Sequence, residues 1–72
     1  FITNHSHDWK LTPREIDVLT LIANGNNNSA ISSTLYISLS TVKTHISSIL
    51  RKLDAGNRTA AVKAAREKGL LL

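Results

Sequence analysis

A chain of 72 residues without a single cysteine has to hold itself together by packing, because no disulfide and no thiolate-bound zinc can staple it. So short a chain makes one domain and buries only about 60% of the surface its unfolded form exposes. Hydrophobic residues make up 42% of it, enough for one core. No apolar run approaches the roughly 20 residues that cross a membrane, and no signal peptide is visible. The chain begins at Phe1 rather than Met, so it reads as a piece of something longer.

Local signals predict an all-α chain: a compact four-helix bundle with helices at about 13–24, 28–35, 39–53 and 58–68. Thr12-Pro13-Arg14-Glu15 is a capping box with proline at the first helical position, where its missing N–H costs nothing. Leu11 and Ile16 are placed to form a hydrophobic staple around it. Ile16, Leu19 and Ala23 share one stripe, widened by Val18 and Ile22, and Gly25 is the expected left-handed stop. Asn27 or Asn28 can cap a short second helix with Ile31 and Leu35 as its core pair. Ser38 caps the third, whose Val42, Ile46, Ile49, Leu50 and Leu53 form one apolar stripe, with Gly56 as its expected terminator. Asn57 or Arg58 opens an alanine-rich fourth helix that Gly69 closes. Residues 1–10 lack helical periodicity and read as a linker remnant ahead of a domain at 11–72.

Charge is unevenly distributed. Up to Val42 there are two basic residues against three acidic ones; from Lys43 onward there are seven against two. A basic half on a small domain points to a polyanionic partner. At 100° per residue, the third helix's face opposite its apolar stripe carries Ser40, Thr44, Ser47, Ser48 and Arg51, with Lys43 and His45 on its flanks. Short hydroxyls let a helix approach a groove closely and bond phosphates or base edges. The N–H groups of Ser40, Thr41 and Val42 at the helix start are expected to be available to phosphate. Two helices joined by about four residues, the second polar on its outward face, fit a helix-turn-helix.

The run of Leu11-Thr12-Pro13-Arg14-Glu15, Val18-Leu19, Gly25-Asn26-Asn27-Asn28, Ile31, Ile37-Ser38, Ser40-Thr41-Val42-Lys43-Thr44-His45, Leu50-Arg51-Lys52-Leu53 and Asn57-Arg58-Thr59-Ala60-Ala61 closely resembles the LuxR-type helix-turn-helix family, over Leu11 to Leu70. The family forms the DNA-binding end of NarL-type response regulators and of quorum-sensing regulators. The resemblance implies sequence-specific binding of double-stranded DNA by a bacterial, cytoplasmic regulator, with the third helix in the major groove. It implies base contacts by Lys43, Thr44 and Ser47, and backbone contacts by Ser40, Thr41, His45 and Arg51; Lys52, at the end of the same helix, is added to the backbone set from its charge and place. It also implies a homodimer seam on the fourth helix (Ala60, Ala61, Ala64 and Ala65), contact with RNA polymerase, and control by a preceding domain. Three positions depart from the family pattern: Ser29 stands where Lys or Arg is common, Ala30 where Glu is common, and Ser47 where a basic or amide residue often stands. The departures imply weaker binding or fewer bases read directly.

Other roles are open for several of these residues. His45 flanks an apolar stripe, where packing is an alternative to a phosphate bond. Lys52 faces phosphate or plain solvent. Arg58 contacts phosphate or pairs with an acid such as Glu15 or Asp54. The capping box accounts for Glu15, and no second carboxylate is placed to work with it as an acid catalyst. His5, His7 and Asp8 lie in the linker without a cysteine partner, and Trp9 is expected to cover the edge of the first helix. An enzyme fits poorly: the chain has no cysteine nucleophile, no supported Ser/His/Asp order and no glycine-rich phosphate loop, and a domain of this size leaves little room for a ligand pocket. No cofactor, metal or small-molecule ligand is called for in this segment. The competing reading is a helical interaction module that docks an acidic protein.

Overall fold

A computed structural model of the chain describes residues 10–71. The expectations for the linker, for His5, His7 and Asp8, and for Trp9 lie outside these residues, apart from Lys10. Four helices follow one another: α1 (Pro13–Ala23), α2 (Asn28–Leu35), α3 (Leu39–Lys52) and α4 (Arg58–Glu67). No strand occurs among the described residues.

Each helix begins where its cap dictates. The Thr12 hydroxyl accepts the Glu15 N–H at 3.1 Å, and the Thr12 N–H donates to Glu15 Oε1 at 2.9 Å, completing the capping box. Asn27, rather than Asn28, caps α2 by accepting the Ala30 N–H at 2.8 Å. Ser38 accepts the Thr41 N–H at 3.0 Å at the head of α3, and Asn57 accepts the Ala60 N–H at 2.8 Å at the head of α4. Replacing Ser38 by alanine should cost about 1 kcal/mol, read as a lower urea midpoint at unchanged slope; an unshifted midpoint would mean the cap contributes nothing to the fold.

The stops differ more from expectation. Gly25 (φ 89°) and Gly69 (φ 75°) take the left-handed conformation as anticipated. Behind each, the doubled bonds of a Schellman motif close the helix: Asn26 N–H to the Leu21 carbonyl, and Leu70 N–H to that of Ala65. Gly56 does not terminate α3. Asp54 does (φ 52°), its N–H bonded to the Arg51 carbonyl and that of Ala55 to the Leu50 carbonyl. Asp tolerates the left-handed region because its short polar side chain can bond locally, so α3 stops two residues earlier than the glycine would place it. α2 stops on Tyr36 (φ 57°, ψ 43°), a conformation that costs a residue with a β-carbon roughly 1–2 kcal/mol.

The core joins all four helices. Val18, Leu19, Ile31, Val42 and Ile49 are its fully buried large side chains, surrounded by Leu11, Ile46, Leu53, Ala61, Val62 and Ala65. Ile16, the other half of the expected staple, packs half-buried against it. α3 packs on α1 and α2, so its apolar stripe is covered from two sides and the opposite face is left outward. α4 lies against α1 and α3. Here the sequence reading needs correction. Ala61 and Ala65 are 1% and 0% exposed; they are the small residues that bring α4 close to its neighbours, so neither is available to a dimer seam. Only Ala60 and Ala64 of the four keep accessible surface.

Candidate nucleic-acid interface

The elbow between α2 and α3 is three residues long, Tyr36-Ile37-Ser38. Ser32 clamps it twice: its hydroxyl donates to the Ile37 carbonyl at 2.5 Å, and its own carbonyl accepts the Ile37 N–H at 3.2 Å. Two linked helices with a fixed elbow, the second resting on the first, make the helix-turn-helix.

On α3, Ser40, Lys43, Thr44, Ser47 and Arg51 are exposed. Their spacing of three and four residues makes a single outward stripe. No carboxylate interrupts it, since Leu39–Lys52 holds two lysines, an arginine and a histidine and no acid. Thr41 and His45 are half-buried beside it. The Thr41 hydroxyl shares a hydrogen bond with that of Ser38 at 2.9 Å, and the Thr44 hydroxyl donates to the Ser40 carbonyl at 3.1 Å. Of the N–H groups expected to be available at the helix start, those of Thr41 and Val42 are taken by the Ser38 side chain and carbonyl. Leu39 and Ser40 hold the N–H groups without a partner among the described residues.

Two residues leave the predicted contact face. Ser48 is half-buried and donates its hydroxyl to Glu15 Oε2 at 2.6 Å. The Lys52 ammonium lies 2.9 Å from Glu15 Oε1 and 3.3 Å from the Lys10 carbonyl, its side chain 9% exposed. Lys52 is therefore not placed for a phosphate: a buried carboxylate has claimed it. Glu15 is the group that sequence reasoning undervalued. The sequence assigns it to the capping box and offers Arg58 as an ion partner, yet one carboxylate oxygen serves both the Thr12 cap and Lys52 while the other holds Ser48. Burial pushes its pKa up, but the hydrogen bonds from Ser48, Lys52 and the Thr12 backbone, together with the Lys52 charge, outweigh that and hold it at about 2. Helical spacing carries no signal for this: α1 holds two acids, Glu15 and Asp17, and nothing local says which of them meets Lys52. Through the same junction Arg51 is oriented, its Nη2 3.4 Å from Ser48 Oγ. Arg58, offered to Glu15 or Asp54 on sequence grounds, pairs with neither; among the described residues the ion pairs are Arg14–Asp17 and Lys52–Glu15.

A small domain was expected to leave little room for a pocket, but an open groove of about 690 Å³ runs between the end of α1 and α4. Ile22 and Val62 are among its apolar lining residues, and Arg58, Lys63 and Arg66 among its polar ones, with Glu67 its only carboxylate. None of its lining residues belongs to α3. No group of three or more His, Cys, Asp or Glu that could hold a metal occurs among the described residues. No described helix is long and apolar enough to cross a membrane.

Residues 10–65 match the family described as bacterial regulatory proteins, luxR family. The chain belongs to the luxR family of bacterial regulatory proteins. Its helix-turn-helix is the DNA-binding domain of that family, as the resemblance in the sequence implied. Among luxR-family relatives, the uncharacterised transcriptional regulatory protein YhcZ of Bacillus subtilis is 55% identical over 53 residues, covering 74% of this chain and 25% of YhcZ. Two solved structures share the fold at a TM-score of 0.82. One is the response regulator ChrA of a heme-sensing two-component system, 44% identical, covering 85% of this chain and 30% of ChrA. The other is the transcription factor GerE, 34% identical, covering 86% of this chain and 92% of GerE. The chain thus spans about a quarter of the length of YhcZ and nearly the whole of GerE.

Proposed function

We propose that the chain is the effector domain of a bacterial two-component response regulator and reads a specific double-stranded DNA sequence by laying α3 in the major groove. The observation that carries this is the stripe of Ser40, Lys43, Thr44, Ser47 and Arg51, outward, free of carboxylates and backed by the packed elbow. Lys43, with the Thr44 methyl and the Ser47 hydroxyl, meets base edges; a lysine donates to guanine acceptors and a methyl packs on thymine. Ser40, Thr41, His45 and Arg51 meet the backbone, and Lys52 is dropped from that set. The luxR-family match and the response-regulator relative support the reading. In it, residues 1–10 link residues 11–72 to a regulatory domain, the setting is the bacterial cytoplasm, and the role is recognition rather than catalysis.

On DNA the domain acts as a homodimer, with two α3 helices in successive major grooves about 34 Å apart. Any seam on α4 uses Ala60 and Ala64, since Ala61 and Ala65 face the core. A contact with an acidic surface, such as one on RNA polymerase, is favoured by the groove that carries Arg58, Lys63 and Arg66 away from α3.

Selection of bound duplexes from a random pool, followed by affinity measurements across salt concentrations, tests the reading. The expected result is a defined sequence and a straight line of log affinity against log salt. Arg51→Ala should weaken binding to every duplex alike and flatten that line by about 0.9 per bound subunit. Failure to enrich any sequence, with salt-sensitive capture of an acidic protein instead, would hand the case to the interaction-module reading.

A further inference from the structure

Two large apolar side chains stand out on the described surface, Tyr36 at 94% exposed and Leu39 at 43%. Both lie where the chain enters α3, on either side of the Ser38 cap. Tyr36 is the more informative. It holds the left-handed stop of α2, the position that Gly25, Asp54 and Gly69 hold for the other helices. A bulky residue is disfavoured there, whereas glycine adopts the conformation freely. The fold recovers nothing from the ring, which buries almost no surface, and no hydrogen bond among the described residues reaches its hydroxyl. A side chain that is costly where it stands and useless to the packing has its use outside the fold.

We infer that Tyr36 is a further DNA contact. Its ring lies against the sugar–phosphate strand that borders the groove occupied by α3, and its hydroxyl donates to a phosphate oxygen. This rests on the reading of α3 proposed above. Tyr36 sits two residues before the cap, at the end of α3 where the N–H groups of Leu39 and Ser40 stand open. A helix N-terminus aimed at a phosphate strand brings such an elbow residue alongside that strand. Phenol hydroxyls are among the groups that bond phosphate and fix register without reading bases. Tyrosine adds no charge, so it contributes without releasing a counterion, and this separates its signature from that of Arg51.

The test compares Tyr36→Gly, Tyr36→Asn and Tyr36→Phe in the 72-residue chain, on the duplex that the unmodified chain selects. The glycine and asparagine variants, both tolerant of the left-handed region, should melt no lower than the parent. They should bind about tenfold more weakly, with the salt slope unchanged, and the phenylalanine variant about threefold more weakly. Ethylation interference should show one phosphate at the site's edge that matters to the parent and not to Tyr36→Phe. The inference is overturned if Tyr36→Gly binds as the parent does. It is equally overturned if Tyr36→Gly and Tyr36→Asn lose stability together with affinity, since the ring would then be structural. Lys43→Ala in the same assay separates the two levels. If it binds normally, the reading of α3 fails and this inference with it; if Lys43→Ala loses binding while Tyr36→Gly keeps it, only the inference falls.

Discussion

Replacing Lys43 by alanine is expected to cut affinity for the selected duplex by an order of magnitude or more while leaving the thermal midpoint where it was. The two halves of that expectation come from different observations. Lys43 is exposed in the middle of the outward stripe, between Ser40 and Ser47, and takes part in no ion pair among the described residues. Removing it therefore leaves the packing intact, and alanine favours a helix at least as well as lysine does. On DNA the loss is a base-edge contact worth roughly 1–3 kcal/mol, and a dimer loses it twice. A base contact also has a sequence signature: the variant should discriminate less at one position of each half-site, whereas Arg51→Ala should weaken all sequences equally. Both effects are read from competition binding with a panel of single-base duplex variants. Uniform weakening by Lys43→Ala would move Lys43 to the backbone, and unchanged affinity would remove it from the interface and overturn the reading of α3 with it.

The second large effect concerns stability. Glu15 is held at a pKa of about 2, below its ordinary 4.5. A depressed carboxylate stabilises the folded state above its unfolded pKa, and the stabilisation fades as pH falls from about 4.5 towards 2. The shift is equivalent to about 3 kcal/mol. A domain of this size has a total of only roughly 5–10 kcal/mol to lose. Glu15→Gln should therefore lower the unfolding free energy at neutral pH by about that amount, and the difference from the parent should shrink to nothing near pH 2. Lys52→Met should cost a comparable amount at neutral pH, because it leaves a nearly buried carboxylate without its cation. In the Glu15→Gln background the same lysine substitution should cost far less, since there is then no charge to abandon. Urea titrations at a series of pH values measure all of this. A parent-to-variant gap that stayed constant from pH 6 to pH 2 would show that the Glu15 charge does not carry the stability.

These two residues also mark how far the sequence could be read. Lys43 was legible, because its exposure follows from helical spacing against an apolar stripe on its own helix. Glu15 was legible only as a cap, because its partner in the capping box lies three residues away while Ser48 and Lys52 lie 33 and 37 residues away. No local pattern reports which cation reaches a carboxylate across the bundle. The same limit explains Ser48, which projects near the polar face on a helical wheel but is turned into service by Glu15.

The amino-acid sequence by itself determined the four helices, their caps, the apolar stripes and the outward polar stripe of α3. Caps act within three residues and stripes repeat within four, so both are written in neighbouring letters. Only the tertiary structure decided that Lys52 serves the fold, that Ala61 and Ala65 are core and that a groove opens beside α4. It also decided that Asp54 rather than Gly56 ends α3 and that Tyr36 stands alone at the elbow. Each of those facts depends on what packs alongside, and burial is a property of neighbours brought together by folding rather than of the residue itself.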